Sequence, residues 1–294
     1  MEMEQEKAVD VDFYLLVEAR FHSSYLVTSW LKAFQEYAGF KGVLLREEPV
    51  EEQTRTVRER LHREYRGQTT LTGATQGLLE EFYPELSETE QTLIRLAGIP
   101  EHSISAYPAT TFLGTDLNNG YAKRWLAGAL MPPRPLFLFI YIDQILEPWW
   151  LESTGSRIIN AHPAVLPYAR GMFAIENIAA SQEIAMFTRS AGASVHYIDA
   201  GVDTGPLIKT ERFVDPFAFG SIWEQKAHAC LLAFDLLVSV AQSLLSQPLS
   251  VPAGIPADPL QRGPNFKSED FTPFVRQQAE HGYLQMKDRV LQKR

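Results

Sequence analysis

The chain has 294 residues, of which 45% are hydrophobic, 11% aromatic and 21% charged, and its formal net charge at pH 7 is −9. This length predicts one large or two small domains, and the composition excludes a collagen-like, mucin-like or intrinsically disordered chain. The acidic balance disfavours a broad basic face for DNA or RNA. The single cysteine, Cys230, allows no internal disulfide and no cysteine-rich zinc site, which favours a reducing, cytoplasmic location.

Neither an export signal nor a membrane segment is expected. Residues 1–7 contain three glutamates and one lysine, the wrong charge for a signal or transit peptide. The longest purely apolar run, residues 136–142, is far shorter than the roughly 20 residues that a bilayer span needs. The longer run 229–245 is interrupted by polar side chains and predicts a buried helix.

The chain opens on an alternation of strand and helix patterns. Residues 11–17 (VDFYLLV) and 42–45 (GVLL) are typical of strands, and apolar residues recur at helical spacing between Tyr25 and Phe34. A βαβ unit and a parallel sheet are therefore predicted. The turn after the first strand carries neither a GxGxxG nor a GxxxxGK[ST] motif, which argues against a nucleotide cradle there.

Residues 46–97 differ in character and predict a helical insertion of two helices. The first part contains five arginines between Arg55 and Arg66, interleaved with glutamates. This mixture favours a solvated helix face over an anion-binding patch.

The second half of the chain again alternates strands and helices. Strands are expected at residues 103–107, 136–142, 157–161, 193–198 and 207–213, and a long apolar helix at 221–246. Trp149 and Trp150, which follow Pro148, are interpreted as packing residues at a helix start. The tail from Pro248 is rich in proline and glycine until Phe271.

Three polar residues of the middle third suggest a reaction centre. Asn160 and His162 are two apart at the end of a predicted strand, so both side chains project from the same face at the edge where open parallel sheets bind ligands. Asp203 follows the next strand. An amide and an imidazole can stabilise an oxyanion, and a carboxylate can move a proton, which suits attack of an amine on a carbonyl. Taken singly, the three are as readily a strand cap, a structural histidine and a turn residue.

The surrounding segments resemble the folate-dependent formyltransferases. Residues 160–167 (NAHPAVLP), with Gly171 after them, look like the N-x-HPSLLP signature of that family. Residues 192–196 (GASVH) look like its G-[TA]-[ST]-x-H strand, and residues 202–208 (VDTGPLI) like its D-x-G-x-[IL] loop. The resemblance covers most of residues 10–250. Ala164 and Val165 depart from the usual Ser-Leu, which bears on the substrate subclass more than on the chemistry.

The resemblance implies a Rossmann-like α/β fold with helices on both faces of the sheet. It implies a catalytic domain over residues 1–250 and a C-terminal extension over 251–294. The implied cosubstrate is 10-formyltetrahydrofolate, with no metal, and the acceptor is a small-molecule amine rather than a nucleic acid. The implied catalytic residues are Asn160, His162 and Asp203. The candidates for contacting the substrate are His196 and Gln144. The implied folate-binding residues are Ile142, Asp143, Gln144, Leu146, Asp199, Ala200, Gly201 and Val202.

The resemblance also bears on the acceptor. Glycinamide ribonucleotide formyltransferases carry a Gly/Ser-rich phosphate loop after the first strand, which is missing here. Methionyl-tRNA formyltransferases carry an additional basic domain, and formyltetrahydrofolate deformylases carry an N-terminal regulatory domain. These three subfamilies are therefore disfavoured. The loop at 143–146, the insertion at 46–97 and tail segments such as 282–284 resemble hydroxyornithine formyltransferases of siderophore pathways such as that of pyoverdine. Nucleotide-sugar amine formyltransferases and an inactive folate-binding homologue are the alternatives. Candidate acceptor contacts at the pocket mouth are Tyr107, Asp116, Asn118, Asn119, Tyr121 and Gln144.

Overall fold

A seven-stranded sheet is the centre of the computed structural model, which describes residues 11–131, 134–246 and 253–293. In chain order its strands are β1 (Asp12–Glu18), β2 (Phe40–Arg46), β3 (Thr110–Phe112), β4 (Leu136–Tyr141) and β5 (Ile158–His162), then, after the two-residue β6 (Arg170–Gly171) outside the sheet, β7 (Gly192–Tyr197) and β8 (Leu207–Arg212). The spatial order is β3-β2-β1-β4-β5-β7-β8.

The strand directions confirm the predicted α/β fold and correct one detail. The first five strands of the sheet run parallel, whereas β7 pairs antiparallel with β5, and β8 antiparallel with β7. The predicted strand at 103–107 is wrong: these residues form turns, and the edge strand follows at 110–112. The pairing Asn160 to His196 follows from the antiparallel register, so β7 delivers its side chains directly beside the end of β5.

Helices cover both faces of the sheet, as the long buried runs of the central strands require. They are α1 (Ser23–Phe34), α2 (Glu52–Tyr65), α3 (Gly73–Glu80), α4 (Glu88–Ala97), α5 (Gly120–Ala129), α6 (Pro148–Thr154), α7 (Ala174–Ser181), α8 (Ile184–Ser190), α9 (Ile222–Ser246) and α10 (Pro273–Leu291). One face packs on α1, α4 and α9, the other on α5 and α6, where Trp150 is fully buried as predicted for a helix start.

The long helix α9 is a core helix. It passes a length and composition test for a membrane span, but more than half of its most apolar window is buried within the fold. Side chains such as Phe234 and Leu237 join the cluster beneath the sheet. The prediction of a buried helix at 221–246 is confirmed.

The insertion at 46–97 contains three helices, not two, and its charges are not all solvated. Arg58 on α2 is 2% exposed, and its guanidinium binds both carboxylate oxygens of Glu47 at 2.7 and 3.0 Å. The reading of this arginine run as a solvated face is therefore wrong at Arg58, because the helix turns this side chain inward against Tyr83.

The tail closes the fold beside the ligand-binding edge of the sheet. Its short strand β9 (Asn265–Phe266) pairs with β6, and α10 packs along α7 through Tyr283 and Met286. Gly171 has a φ of +80°, and a Cβ there would lie 2.0 Å from the carbonyl oxygen of Phe266. Glycine at this position therefore lets the tail approach β6.

Candidate active site

The three residues singled out from the sequence meet at one edge of the sheet. Asn160 and His162 project from the end of β5, and Asp203 lies on the loop between β7 and β8. Together with His196 they line a cavity of about 820 Å³. The predicted convergence of the strand end and the following loop is therefore present in the structure.

Asp203 is the centre of this cluster. Its Oδ2 lies 3.6 Å from Nδ1 of His162 and accepts a 2.7 Å hydrogen bond from the backbone N–H of Gly171, while its Oδ1 lies 3.5 Å from Nε2 of His196. The amide nitrogen of Asn160 lies 3.2 Å from the same Nε2. Each carboxylate oxygen thus faces one imidazole, and the amide completes the cluster.

In both histidines, the ring nitrogen that does not face Asp203 is hydrogen-bonded to the main chain. Nε2 of His162 lies 3.0 Å from the carbonyl oxygen of Ala169, and Nδ1 of His196 lies 2.7 Å from that of Tyr197. A carbonyl oxygen only accepts, so each of these nitrogens carries a proton and donates. The nitrogens that face Asp203 are therefore the ones left to exchange protons with it or with a ligand.

Burial and charge set the protonation of the cluster. Burial lowers the pKa of His162, and the charges of His196 and Lys226 lower it further against the attraction of Asp203. Burial would raise the pKa of Asp203, but the neighbouring histidines and the Gly171 hydrogen bond outweigh it and hold the pKa below its usual range. The carboxylate is therefore ionised at neutral pH. The Oδ1 atom of Asn160 is buried and has no hydrogen-bond partner among the described residues.

The loop that carries Asp203 is shaped by its own sequence. Oδ1 of Asp199 accepts from the backbone N–H of Gly201 at 3.0 Å and from the hydroxyl of Thr204 at 2.6 Å. Asp203 has a φ of +50°, in the left-handed region that Asp and Asn tolerate better than other side chains. A Cβ at Gly205 would lie 1.9 Å from the carbonyl oxygen of Tyr197, so only glycine fits there.

Two loops expected to hold the folate flank this cluster. Ile142, Asp143, Gln144 and Leu146 line one side of the cavity, and Asp199, Gly201 and Val202 line the other. Ala200 is not among the lining residues. The side chain of Gln144 is already engaged, since its Oε1 accepts from the backbone N–H of Leu117 at 2.8 Å and its amide donates to Asp116. Gln144 therefore braces the loop.

None of the other residues expected at the pocket mouth lines the cavity, and two of them bind main-chain groups of neighbouring segments. Tyr107, Asp116, Asn118, Asn119 and Tyr121 are not among the cavity-lining residues. Asn119 caps α5 by accepting from the backbone N–H of Ala122 at 2.8 Å, and Asn118 donates to the carbonyl of Ile145 at 2.9 Å. Asn118 and Asp116 thus hold the 142–146 loop in place, through Ile145 and Gln144.

Cys230 is closer to the site than its sequence position suggested. It is buried on α9, as expected of a core residue, yet it lines the cavity, and its Sγ lies 3.7 Å from the hydroxyl of Tyr141. From the sequence, Cys230 is expected on the long apolar helix as a core residue away from the site; its burial is confirmed, and its distance from the site is corrected. Burial raises the pKa of this thiol to about 11, so it is not a nucleophile at neutral pH.

A group of charged residues on the cavity wall was not found from the sequence. These residues are Glu18, His22, Glu90, Glu176 and Lys226. Glu18 is the last residue of β1, the strand whose carboxyl end opens on this edge, and His22 lies in the turn after it, so their positions were an available signal. The other three come from α4, α7 and α9, and no local pattern connects them.

Within the part of the chain that the structure describes, no cluster of His, Cys, Asp or Glu has the arrangement of a metal site.

Comparison with known proteins shows that one segment of the chain, which contains Asn160, His162 and Asp203, is similar to formyltransferases. Residues 129–214 match the family described as formyl transferase. Phosphoribosylglycinamide formyltransferase of Bacillus subtilis is 41% identical over 79 residues, 26% of this chain and 38% of that protein. The enzyme of the same name from Mycobacterium tuberculosis is 37% identical over 65 residues, 22% of this chain and 28% of that protein. The chain thus spans under two fifths of the curated relatives it matches.

Solved structures extend the likeness to nearly the whole chain at the level of fold. WlaRD, a sugar 3N-formyl transferase crystallised with dTDP and 5-N-formyl-THF, superposes with a TM-score of 0.51 at 12% identity, covering 92% of this chain and 79% of that one. A sugar N-formyltransferase from a Shewanella species gives 0.51 at 10% identity, covering 93% and 88%. The fold is that of formyltransferases.

Proposed function

We propose that this chain transfers a formyl group from 10-formyltetrahydrofolate to an amine acceptor, and that the acceptor is N5-hydroxyornithine, giving N5-formyl-N5-hydroxyornithine. The observation that carries the proposal is the convergence of Asn160, His162 and Asp203 on one cavity. All three lie within the segment that matches the formyl transferase family.

The residues of the cluster suit the charge and proton movements of this transfer. As the amine nitrogen bonds to the formyl carbon it must lose one proton, and Asp203 is an ionised carboxylate in position to accept it. The folate nitrogen that gives up the formyl group gains one proton. The amide of Asn160 is a donor for the negative charge that develops on the formyl oxygen. His162 supports that charge once its Nδ1 is protonated.

The cavity fits the proposed cosubstrate in size and in the chemistry of its walls. Its volume of about 820 Å³ lies within the range of cavities that hold drug-sized ligands. The 142–146 and 199–202 loops present main-chain groups on both sides, which suits a pterin with several donors and acceptors. The Oδ1 of Asn160 is buried without a hydrogen-bond partner among the described residues, which supports a ligand donor at this point.

The start of α1 supports an acceptor without a phosphate at that point. The backbone N–H of His22, which precedes this helix, donates to Oε1 of Glu90 at 3.1 Å. A carboxylate of the insertion therefore occupies the end of the helix where a phosphate group would otherwise be attracted.

A panel of amines assayed at a fixed concentration of 10-formyltetrahydrofolate tests the proposal. We expect tetrahydrofolate and a hydroxamate to form together, only when N5-hydroxyornithine is present. Turnover of a nucleotide-linked amino sugar with none of N5-hydroxyornithine would refute the acceptor and leave formyl transfer standing. Absence of transfer to every amine would identify the chain as an inactive homologue.

A further inference from the structure

One end of the cavity is lined by buried charges of both signs. Glu18 ends β1, His22 precedes α1, and Glu90, Glu176 and Lys226 lie on α4, α7 and α9. We call these five residues the charged chamber. Their side chains are between 2% and 16% exposed, so their interactions are only weakly screened by solvent.

Two of the five residues are held entirely by their neighbours. Nε2 of His22 lies 3.1 Å from Oε1 of Glu18, and its Nδ1 lies 3.0 Å from Oε1 of Glu90. Oε2 of Glu90 accepts from the backbone N–H and the hydroxyl of Ser87, at 3.0 and 2.9 Å. Both donors of the imidazolium and both oxygens of Glu90 are therefore used.

The other three residues keep groups that a ligand can reach. The Nζ of Lys226 bonds Oε2 of Glu176 at 3.1 Å, and an ammonium has three donors. Among the described residues, His22 engages Oε1 of Glu18 and Lys226 engages Oε2 of Glu176, so one carboxylate oxygen of each is used in these bonds. A ligand that leaves such groups desolvated and unbonded loses about 1–3 kcal/mol for each of them. The chamber therefore favours a ligand with both a cationic and an anionic group.

The balance of charge excludes a strongly anionic occupant. Burial opposes protonation of His22, but the hydrogen bonds to Glu18 and Glu90 raise its pKa to about 9, so it is a cation at neutral pH. Three carboxylates then face two cations, and each cation is already paired with a carboxylate. The diphosphate of a nucleotide sugar would bring two more negative charges into this space. The other lysine and arginines on the wall are solvent-exposed: Lys267, Arg20 and Arg276.

The charged chamber adjoins the reaction centre. Lys226 and Glu18 line the same cavity as Asn160, His162 and Asp203, and the charge of Lys226 also contributes to the lowered pKa of His162. We infer that Lys226 binds the α-carboxylate and Glu18 the α-ammonium of a free amino-acid acceptor, whose side-chain amine then extends to Asn160 and Asp203. This assignment rests on the proposed function and makes Lys226 and Glu18 the residues that determine acceptor specificity.

Three acceptors distinguish the contact of Lys226 with the α-carboxylate from the contact of Glu18 with the α-ammonium. N5-hydroxyornithine carries both groups, N-hydroxy-1,4-diaminobutane lacks the carboxylate, and 5-(hydroxyamino)pentanoate lacks the ammonium. We expect the wild-type protein to show a KM at least about tenfold lower for N5-hydroxyornithine than for either analogue, which corresponds to about 1.4 kcal/mol for each contact.

Two substitutions assign the contacts to their side chains. Lys226→Met removes the charge with little change in length and should abolish the preference over the decarboxylated acceptor. Glu18→Gln keeps an oxygen for His22 and should abolish the preference over the acceptor without an ammonium. Because Lys226→Met leaves Glu176 buried without its partner, the double variant Lys226→Met, Glu176→Gln is measured beside it, with thermal melting as a test of folding. Lys209→Met, an exposed lysine on β8, is the matched control and should keep both preferences.

The possible results are distinct. Lys226→Met raising KM equally for all three acceptors, or a wild-type protein that does not distinguish them, would overturn the assignment. Transfer confined to a nucleotide-linked amino sugar would overturn it while leaving formyl transfer intact. Absence of transfer to any acceptor would overturn the proposed function and this assignment together.

Discussion

The cavity has two walls of different origin. The wall that carries Asn160, His162 and Asp203 is built from β5, β7 and the loop after β7, all within residues 129–214 that match a formyltransferase family. The facing wall is assembled from the end of β1, from residues 85–90 of the helical insertion and from residues 265–276 of the tail, all outside that match. The proposed reaction centre thus lies in the segment that matches the family, and much of the facing wall lies outside that segment.

The two walls also hold their residues by different means. On the first, main-chain groups position the side chains, as Gly171 does for Asp203 and Ala169 for His162. On the second, ion pairs connect elements far apart in sequence, as Glu90 does for His22. Mutations should therefore affect rate on the first wall, and stability or acceptor affinity on the second.

The largest expected effect is on rate, at Asp203. Asp203→Asn removes the ionised carboxylate that we propose takes the proton from the amine, and we expect kcat to fall by about 10²–10⁴. Folding should be retained, because asparagine tolerates the +50° φ of this position. Steady-state kinetics and thermal melting test both statements.

Asp288→Asn, at an exposed position on α10, is the control for this substitution. It should leave kcat unchanged. A normal rate for Asp203→Asn would show that this carboxylate takes no part in the reaction. It would also contradict the expectation that mutations on the first wall affect the rate.

The next effect is on stability, at the ion pair that ties the insertion to α1. Glu90→Ala leaves the His22 imidazolium buried with one partner, and loss of one member of a buried pair costs about 3–5 kcal/mol. Urea unfolding should show this decrease. Glu85→Ala, at an exposed residue near the start of the same helix, should change the free energy of unfolding by no more than about 0.5 kcal/mol.

The pH dependence of the Glu90→Ala effect gives a second test. His22 has a pKa raised from 6.5 to about 9, so its contribution is complete below pH 6.5 and is lost as the pH rises through 9. Glu90 has a pKa lowered from 4.5 to about 2, so its contribution is present above pH 4.5 and is lost as the pH falls through 2. The difference between wild type and Glu90→Ala should therefore be largest between pH 4.5 and 6.5. A constant difference from pH 6 to pH 9.5 would contradict this pairing.

The same division between walls explains what could be predicted from the sequence. Asn160 and His162 are two apart on one strand, so local spacing places these two together. Asp203 joins them through the resemblance of residues 202–208 to a loop of the formyltransferases. His22 and Glu90 are 68 residues apart, and nothing in either segment indicates the partner. Local spacing and the family resemblance together therefore predict the first wall but not the second.

The helix α10 shows another limit of local patterns. Gly282 lies inside this helix, where a Cβ would stand 2.1 Å from the carbonyl oxygen of Ala179 on α7. The glycine serves close packing of two helices, a reason that only the tertiary structure shows.

The smallest expected effect is at the contact between the tail and the helical insertion, where Arg276 of α10 pairs with Glu88 of α4. Arg276 is 52% and Glu88 34% exposed, so water and salt screen this pair, and such pairs contribute about 0–1 kcal/mol. We expect Arg276→Gln and Glu88→Gln each to change the acceptor KM by no more than about threefold, and 0.5 M salt to reproduce the same change in the wild type. A wall held by its buried pairs should keep its shape without this exposed ion pair. If either variant instead raised KM by about tenfold, the second wall would depend on the exposed pair rather than on the buried pairs. Agreement between the two variants is the internal control, since both break the same pair from opposite sides.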